Sequence, residues 1–460
     1  MNNLKYFIGL LLIASQLVLW AQKKEQKRTK IEPVSLETRT QSALFADGLR
    51  EFYTDSYQAA EKTFRQVLYQ NGKNSAAQFM LGKIRMANKD FSGAAFYFDE
   101  AVKADKSNIW YKVERAKNLM NLGDYNTAAQ AWEEICKLEP KSELFLYNLS
   151  NCYINVEKYQ EVIKVYNRME KIVGANEELA QAKRNIYLYL NDLKSAVGEY
   201  NKLIKDNPDN PDFYVAAGDI YMSNNVPAKA LPYYKEALWI TPNHPQANLS
   251  MGSYWLSQGD VEQGFAAYLL AFENKELEIE AKLPILRAYF SQAFRSKNHT
   301  DIQMVTQLAT ALTEANSNAV EGPAILGSLY WMQSNYSKAK EFFEQALAID
   351  NTQYSLWQDY LTTLERLGDY QTLTERAEEI SELYPTNAAM LYTVANACRQ
   401  NGQSAQALSW LKQASSFAFD TELQGNIYFL MAEIYSDMHN TTEAEKYYKM
   451  AETKGKKRDK

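Results

Sequence analysis

Residues 75–108 read SAAQFMLGKIRMANKDFSGAAFYFDEAVKADKSN, and residues 109–142, which follow directly, read IWYKVERAKNLMNLGDYNTAAQAWEEICKLEPKS. Laid one over the other, they place Gly82 on Ala116, Ala94 on Ala128 and Phe98 on Trp132. The columns run on in both directions. A small residue recurs at Ala60, Ala94, Ala128, then Val162, then Ala196, Ala230 and Gly264, each step being 34 residues. Four residues after each stands an aromatic: Phe64, Phe98, Trp132, Tyr166, Tyr200, Tyr234 and Tyr268. Twelve residues before each runs a looser column of Gly48, Gly82, Ala116, Ser150, Arg184, Gly218 and Gly252. Seven units without an insertion therefore cover 41–278, and a fixed period of this length identifies a stacked repeat array.

The period has a physical meaning. Numbering each unit from 1 to 34, positions 8 and 20 are mostly small, as they must be where two antiparallel helices cross closely. The aromatic at position 24 fills the space this leaves, against the next unit. Positions 20 and 24 are one helical turn apart and share a face. Leu122-Gly123-Asp124-Tyr125 and Gln258-Gly259-Asp260 supply the turn between the helices. There Gly accepts the left-handed C-cap conformation and Asp caps the next helix. Arg184 breaks the small-residue column, either turning outward along its aliphatic stem or pairing with an acid.

Beyond 278 the register slips and returns. Gly327, Tyr330, Ala339, Phe343 and Ala346 define a unit at 320–353, whose small residue lies 75 after Gly264. The unit between, 279–319, thus carries seven extra residues, and 296–300 is the place for most of them, as a longer turn. With Pro284, this unit is a candidate bend. Weaker units follow at 354–387 and 388–421, and a last one carries Ala432, Tyr435, Ala444, Tyr448 and Ala451, shifted by three.

This pattern resembles the tetratricopeptide repeat (TPR) family. The resemblance implies an all-α fold, an α-solenoid wound as a right-handed superhelix of about twelve helix-turn-helix repeats. It also implies a concave groove lined by positions 2, 5, 9 and 12 of the first helix in each pair. Position 5 reads Phe45, Phe79 and Tyr147 in the first, second and fourth units. Position 9 reads Lys83, Lys117, Asn151 and Asn185 in units two to five. Asn amides can pair with the backbone of an extended peptide, and the two lysines supply charge for an acidic feature of a protein or peptide partner. These seven residues are the candidate partner-binding groove. The alternative reading makes the aromatics inter-helix packing and the polar residues a solvated face. Position 12 is apolar from Phe52 and Met86 to Leu256, a stripe that fits core as well as site. TPR domains that grip a C-terminal carboxylate use Lys at position 5. No well-registered unit here has one, so that clamp is not expected.

The chain of 460 residues is Tyr-rich (32) and poor in Gly (18) and Pro (11), which suits helices packed throughout. Its net charge of −6 gives no basic stripe for nucleic acid. His244, His299 and His439 fall at turns or unit ends and match no metal-ligand spacing. No catalytic motif, cofactor loop or CxxC occurs, so an enzyme, a bound cofactor and a zinc ribbon are not expected. Cys136, Cys152 and Cys398 are an odd set. The first two fall two turns out of level on neighbouring helices, so buried free thiols are expected.

Lys5, the apolar run 6–20 and Ala21 have the form of a cleaved secretory signal over 1–21. The basic residues Lys23, Lys24, Lys27, Arg28 and Lys30 run against the usual orientation bias, which leaves an uncleaved inner-membrane anchor open. Residues 22–40 are expected as a basic, disordered linker, and 454–460 as a basic tail after the last repeats of 320–458. Both basic ends are candidates for membrane contact. The function expected is a non-catalytic interaction scaffold exported to the bacterial periplasm or cell envelope. The alternatives are a membrane-anchored assembly or regulatory factor and an envelope carbohydrate-binding accessory protein.

Overall fold

The computed structural model describes residues 36–457. The expected signal segment and residues 22–35 of the expected linker lie outside the described residues. So do Arg458, Asp459 and Lys460. The described chain consists of helices joined by short turns, numbered α1 to α25 below, with no strand among the described residues. It divides at Asn191/Asp192 into two compact units.

The first unit holds α1 (Leu36–Tyr53), α2 (Tyr57–Gln70), α3 (Ser75–Ala87), α4 (Phe91–Ala104), α5 (Ile109–Asn121), α6 (Tyr125–Leu138), α7 (Glu143–Asn155), α8 (Tyr159–Val173) and α9 (Glu177–Tyr189). Odd-numbered helices are the first of each pair. Since α1 begins at Leu36, residues 36–40 belong to the first helix and not to a linker.

A local grammar repeats with the sequence. Asn74 and Ser142 cap first helices, their side chains accepting the N–H of Ala77 and Phe145. Asp90 and Asp124 cap second helices through Gly93 and Thr127. Each satisfies a donor the helix start leaves unpaired. Between the helices of a pair the chain makes a left-handed turn at Asp55, Lys89, Gly123 and Glu157. The bonds at Glu157, whose N–H donates to Ile154 O (3.0 Å) while Lys158 N–H donates to Tyr153 O (2.9 Å), are those of a Schellman cap. A left-handed L-residue costs roughly 1–2 kcal/mol, part of which glycine returns through its freer unfolded chain. Glu157 is exposed, so Glu157→Gly is expected to stabilise the α7–α8 pair by about 0.5–1 kcal/mol. Slower amide exchange in that pair is the readout, and faster exchange would refute the assignment.

The small-residue column works as a close approach. A Cβ at Gly48 or Gly82 would lie 2.9 or 2.6 Å from the ring of Phe64 or Phe98. The position-24 aromatic therefore covers position 8 of its own pair, whereas the sequence suggested that it packs against the next. Trp132 reaches the following pair, its ring meeting Phe145 at 5.7 Å. Arg184 brings to position 8 a side chain that such an approach excludes, and it lies in the pair within which the chain divides.

The second unit holds α10 (Leu193–Asp206), α11 (Pro211–Ser223), α12 (Pro227–Ile240), α13 (Pro245–Ser257) and α14 (Val261–Glu273). Then come α15 (Ile279–Ser296), α16 (His299–Ala315), α17 (Glu321–Met332), α18 (Tyr336–Ile349) and α19 (Tyr354–Leu367). It ends with α20 (Tyr370–Glu375), α21 (Ala377–Leu383), α22 (Ala388–Gln400), α23 (Ser404–Phe417), α24 (Thr421–Asp437) and α25 (Thr441–Thr453). Two expectations are corrected here. The extra residues of 279–319 do not lengthen a turn. They extend α15 and α16 to 18 and 17 residues, joined by Lys297 and Asn298 alone. That repeat lies inside the second unit. It is stitched in by Lys282, fully buried, whose ammonium donates to Phe272 O (3.0 Å), Asn274 O (2.7 Å) and Asn316 Oδ1 (2.7 Å). All three donors are satisfied, while burial holds the amine at about 8. The second correction concerns the C-terminal basic stretch. Gly455 and Lys456 close a Schellman cap on α25, with Lys456 N–H donating to Ala451 O at 3.1 Å. The Lys456 ammonium sits 5.8 Å from the ring centre of Phe429, so 454–456 folds back and is not a free tail.

Candidate partner-binding face

The seven predicted groove residues all stand on first helices of the first unit, but not in equivalent settings. Phe45 packs edge-on against Phe64 at 5.3 Å. Phe79 lies between Phe98 (5.9 Å) and Tyr111 (4.9 Å). Both are half-buried and knit neighbouring helices together. Their area is largely committed to packing.

Lys83 on α3 and Lys117 on α5 are brought together by a residue the columns did not single out. Glu114, one turn before Lys117, accepts from Lys83 Nζ at 3.3 Å and from Lys117 Nζ at 2.9 Å. Its side chain is only 11% exposed, against 33% and 40% for the lysines. Two cations flanking one acid carry a net charge of +1, half of what the lysines alone suggested. Both ammonium groups keep further donors for an incoming acceptor.

Beside this triad the surface turns apolar and open. Trp110 on α5 and Leu144 and Tyr147 on α7 are 53%, 61% and 58% exposed. Leu144 and Tyr147 are three apart and adjoin on one helix face. Trp110 and Leu144 occupy position 2, a groove position whose contents the sequence reading did not use. Asn151, half-buried, takes a long 3.5 Å bond from Asn155 Nδ2 on its amide oxygen. Asn185 is engaged more firmly. Its Oδ1 accepts from Nε and Nη2 of Arg184 at 3.1 and 3.0 Å. Arg184 thus turns along the surface onto an amide and leaves Asn185 to offer its N–H groups only. Of the position-12 stripe, Met120 belongs to the core side, since its sulfur accepts from Trp132 Nε1 at 3.2 Å.

The other residues singled out from the sequence take structural places. His244 caps α13, its Nδ1 accepting from Ala247 N–H while Nε2–H donates to Asp212 Oδ1, each at 3.1 Å. His439 is a left-handed turn residue and His299 opens α16. Cys136, Cys152 and Cys398 are buried free thiols, and desolvation pushes the first two up to about 11 and about 12, which makes them poor nucleophiles. No described helix is long and apolar enough to cross a membrane.

Family models for the repeat match four stretches of the chain. A tetratricopeptide repeat model matches residues 45–109, a TPR repeat model matches 185–225, and a further tetratricopeptide repeat model matches 324–353 and 425–451. No curated protein is significantly similar to the chain. Among solved structures the chain is similar to Naa15/Naa10 bound to HypK-THB, at 15% identity and TM-score 0.43, covering 89% of this chain and 68% of that one. It is similar also to a tetratricopeptide repeat protein from Parabacteroides merdae (16% identity, TM-score 0.32, 51% and 92% covered). A third is yeast Tom70 (14% identity, TM-score 0.30, 88% and 97% covered).

Proposed function

Since the chain belongs to the tetratricopeptide repeat family, we propose that it is a non-catalytic scaffold of the bacterial envelope, gripping an acidic protein segment on the first helices of its N-terminal unit. The observation that carries this is the Lys83–Glu114–Lys117 triad beside the exposed Trp110, Leu144 and Tyr147. A carboxylate of the partner lies against the two ammonium groups, in a surface where the effective dielectric is below that of water. Apolar side chains of the same segment cover Trp110, Leu144 and Tyr147, and removing that area from water drives most of the binding. Asn151 and Asn185 supply amide donors to the segment's backbone. Export rests on the signal-like 1–21 and is tested by sequencing the N-terminus of the protein recovered from cells. A start at Gln22 supports it, and a start at Met1 favours a membrane anchor.

Titrating the full chain with an acetylated peptide of alternating leucine and glutamate, against its glutamine counterpart, tests the site. The glutamate peptide is expected to bind more tightly. Lys83→Glu with Lys117→Glu should weaken it at least tenfold, and Glu114→Gln should strengthen it by unmasking charge. Affinity unchanged in both variants would sink the site. Exposed Trp110 and Tyr147 also suit stacking on sugar rings. Saturable binding of a glycan, lost on Trp110→Ala, with no peptide binding would move the function to carbohydrate.

A further inference from the structure

The first helices of three successive repeats in the second unit, α15, α17 and α19, line a half-open pocket of about 410 Å³. Phe290 and Phe294 of α15, their rings 6.4 Å apart, form one wall, and Trp331 of α17 another. The floor is Phe343 of α18, the buried ring that lies against Gly327. Asp359 and Thr362 of α19 close the remaining side. Ser328 and Thr362 hold position 9 and Trp331 position 12, the places taken by Lys83, Lys117 and Met86 in the N-terminal unit. The same positions thus line an aromatic pocket without a lysine, and Asp359, at position 6, sets a negative charge beside it.

We propose that this cavity binds a lysine or arginine side chain of a partner protein segment, its aliphatic stem against the aromatic walls and its cationic head at Asp359. Charge complementarity selects the occupant. No Lys or Arg pairs with the Asp359 carboxylate among the described residues, and Lys340 of the preceding helix α18 is taken by Asp369 at 2.6 Å. Asp359 is exposed at the mouth, where partial desolvation beside the aromatic walls raises its carboxyl above the usual range. An acid in that setting gains from a cation brought beside it. Phe290, Phe294 and Trp331 present π-faces that attract a cation and stack on a guanidinium. The hydroxyls of Ser328 and Thr362 donate to their own helix at Ala324 O (3.0 Å) and Gln358 O (2.8 Å), which leaves their lone pairs for incoming N–H groups.

The test is calorimetric titration of the full chain with Ac-Ala-Leu-Arg-Leu-Ala-amide, and with the same peptide carrying norleucine or the uncharged isostere citrulline in place of arginine. The arginine peptide should bind at least tenfold more tightly than either. Asp359→Asn, nearly isosteric, should remove that preference, and Thr362→Arg should abolish binding by placing a cation in the cavity. Lys83→Glu with Lys117→Glu should leave it unchanged, so this site stands or falls apart from the N-terminal one. Equal affinity for the arginine and norleucine peptides, or a preference that survives Asp359→Asn, would overturn the proposal. If deleting residues 22–30 tightened the arginine peptide tenfold, the occupant would be this chain's own basic segment, which overturns the partner assignment.

Discussion

Trp132→Ala is expected to cost about 3–5 kcal/mol, the range for truncating a fully buried large aromatic, and to loosen α5 to α8 far more than any other helices. Trp132 is fully buried at position 24. It stands four residues after Ala128, in the unit where Ala116 holds position 8. Its ring meets Phe145 of α7, and its indole N–H is spent on the Met120 sulfur. Removing it takes away the ring contacts and leaves a space that neither pair can close alone. In a repeat array each unit leans on its neighbours only. The loss should therefore show in amide exchange as fast opening of α5–α8, while α22–α25 stay protected. Uniform loss along the chain would mean that the array unfolds as a single cooperative body.

The same substitution at two glycines should act with opposite signs. Both sit inside helices, where replacing Gly by Ala gains about 1 kcal/mol of helix propensity. At Gly198 of α10 an added Cβ meets nothing within 4 Å, so Gly198→Ala should keep that gain. At Gly218 of α11 it would stand 2.4 Å from Cε1 of Tyr234. That ring cannot step aside cheaply, because Tyr234 is fully buried and its hydroxyl donates to Asp219 at 2.7 Å. Overpacking of this kind costs typically 1–3 kcal/mol and occasionally more, so Gly218→Ala should be destabilising by about 1–2 kcal/mol net. Thermal unfolding of the two variants beside the parent decides it. Stabilisation at both would mean that position 8 needs no close approach.

The columns at positions 8, 20 and 24 were legible because a helix crossing leaves a small residue no substitute, and the structure puts Gly48 under Phe64 and Gly82 under Phe98 accordingly. Where the chain left the period, the sequence said that residues were added but not where. A longer turn and two longer helices have the same length, and only packing chose α15 and α16. The lysines at position 9 were found by their column. Glu114 was not, because its tie to Lys83 crosses from one repeat to the next and leaves no trace within a 34-residue period. Trp110 and Leu144 stand at a groove position and were within reach of the same tabulation. The cavity in the second unit was hidden for another reason. Phe290 and Phe294 lie in the irregular repeat, out of register with the columns that would have placed them beside Trp331.

On the proposed function, protein partners are held on the first helices of the N-terminal unit. Placing a photocrosslinking amino acid at Tyr147, and separately at Tyr69, tests it most directly. Tyr147 lies on α7 beside the lysine triad, whereas Tyr69 on second helix α2 is 94% exposed and serves as the control. Irradiating the full chain with the leucine–glutamate peptide should give a crosslink from position 147 that disappears with Lys83→Glu and Lys117→Glu, and none from position 69. A crosslink from position 69 alone, or one from 147 indifferent to the charge reversal, would contradict the account.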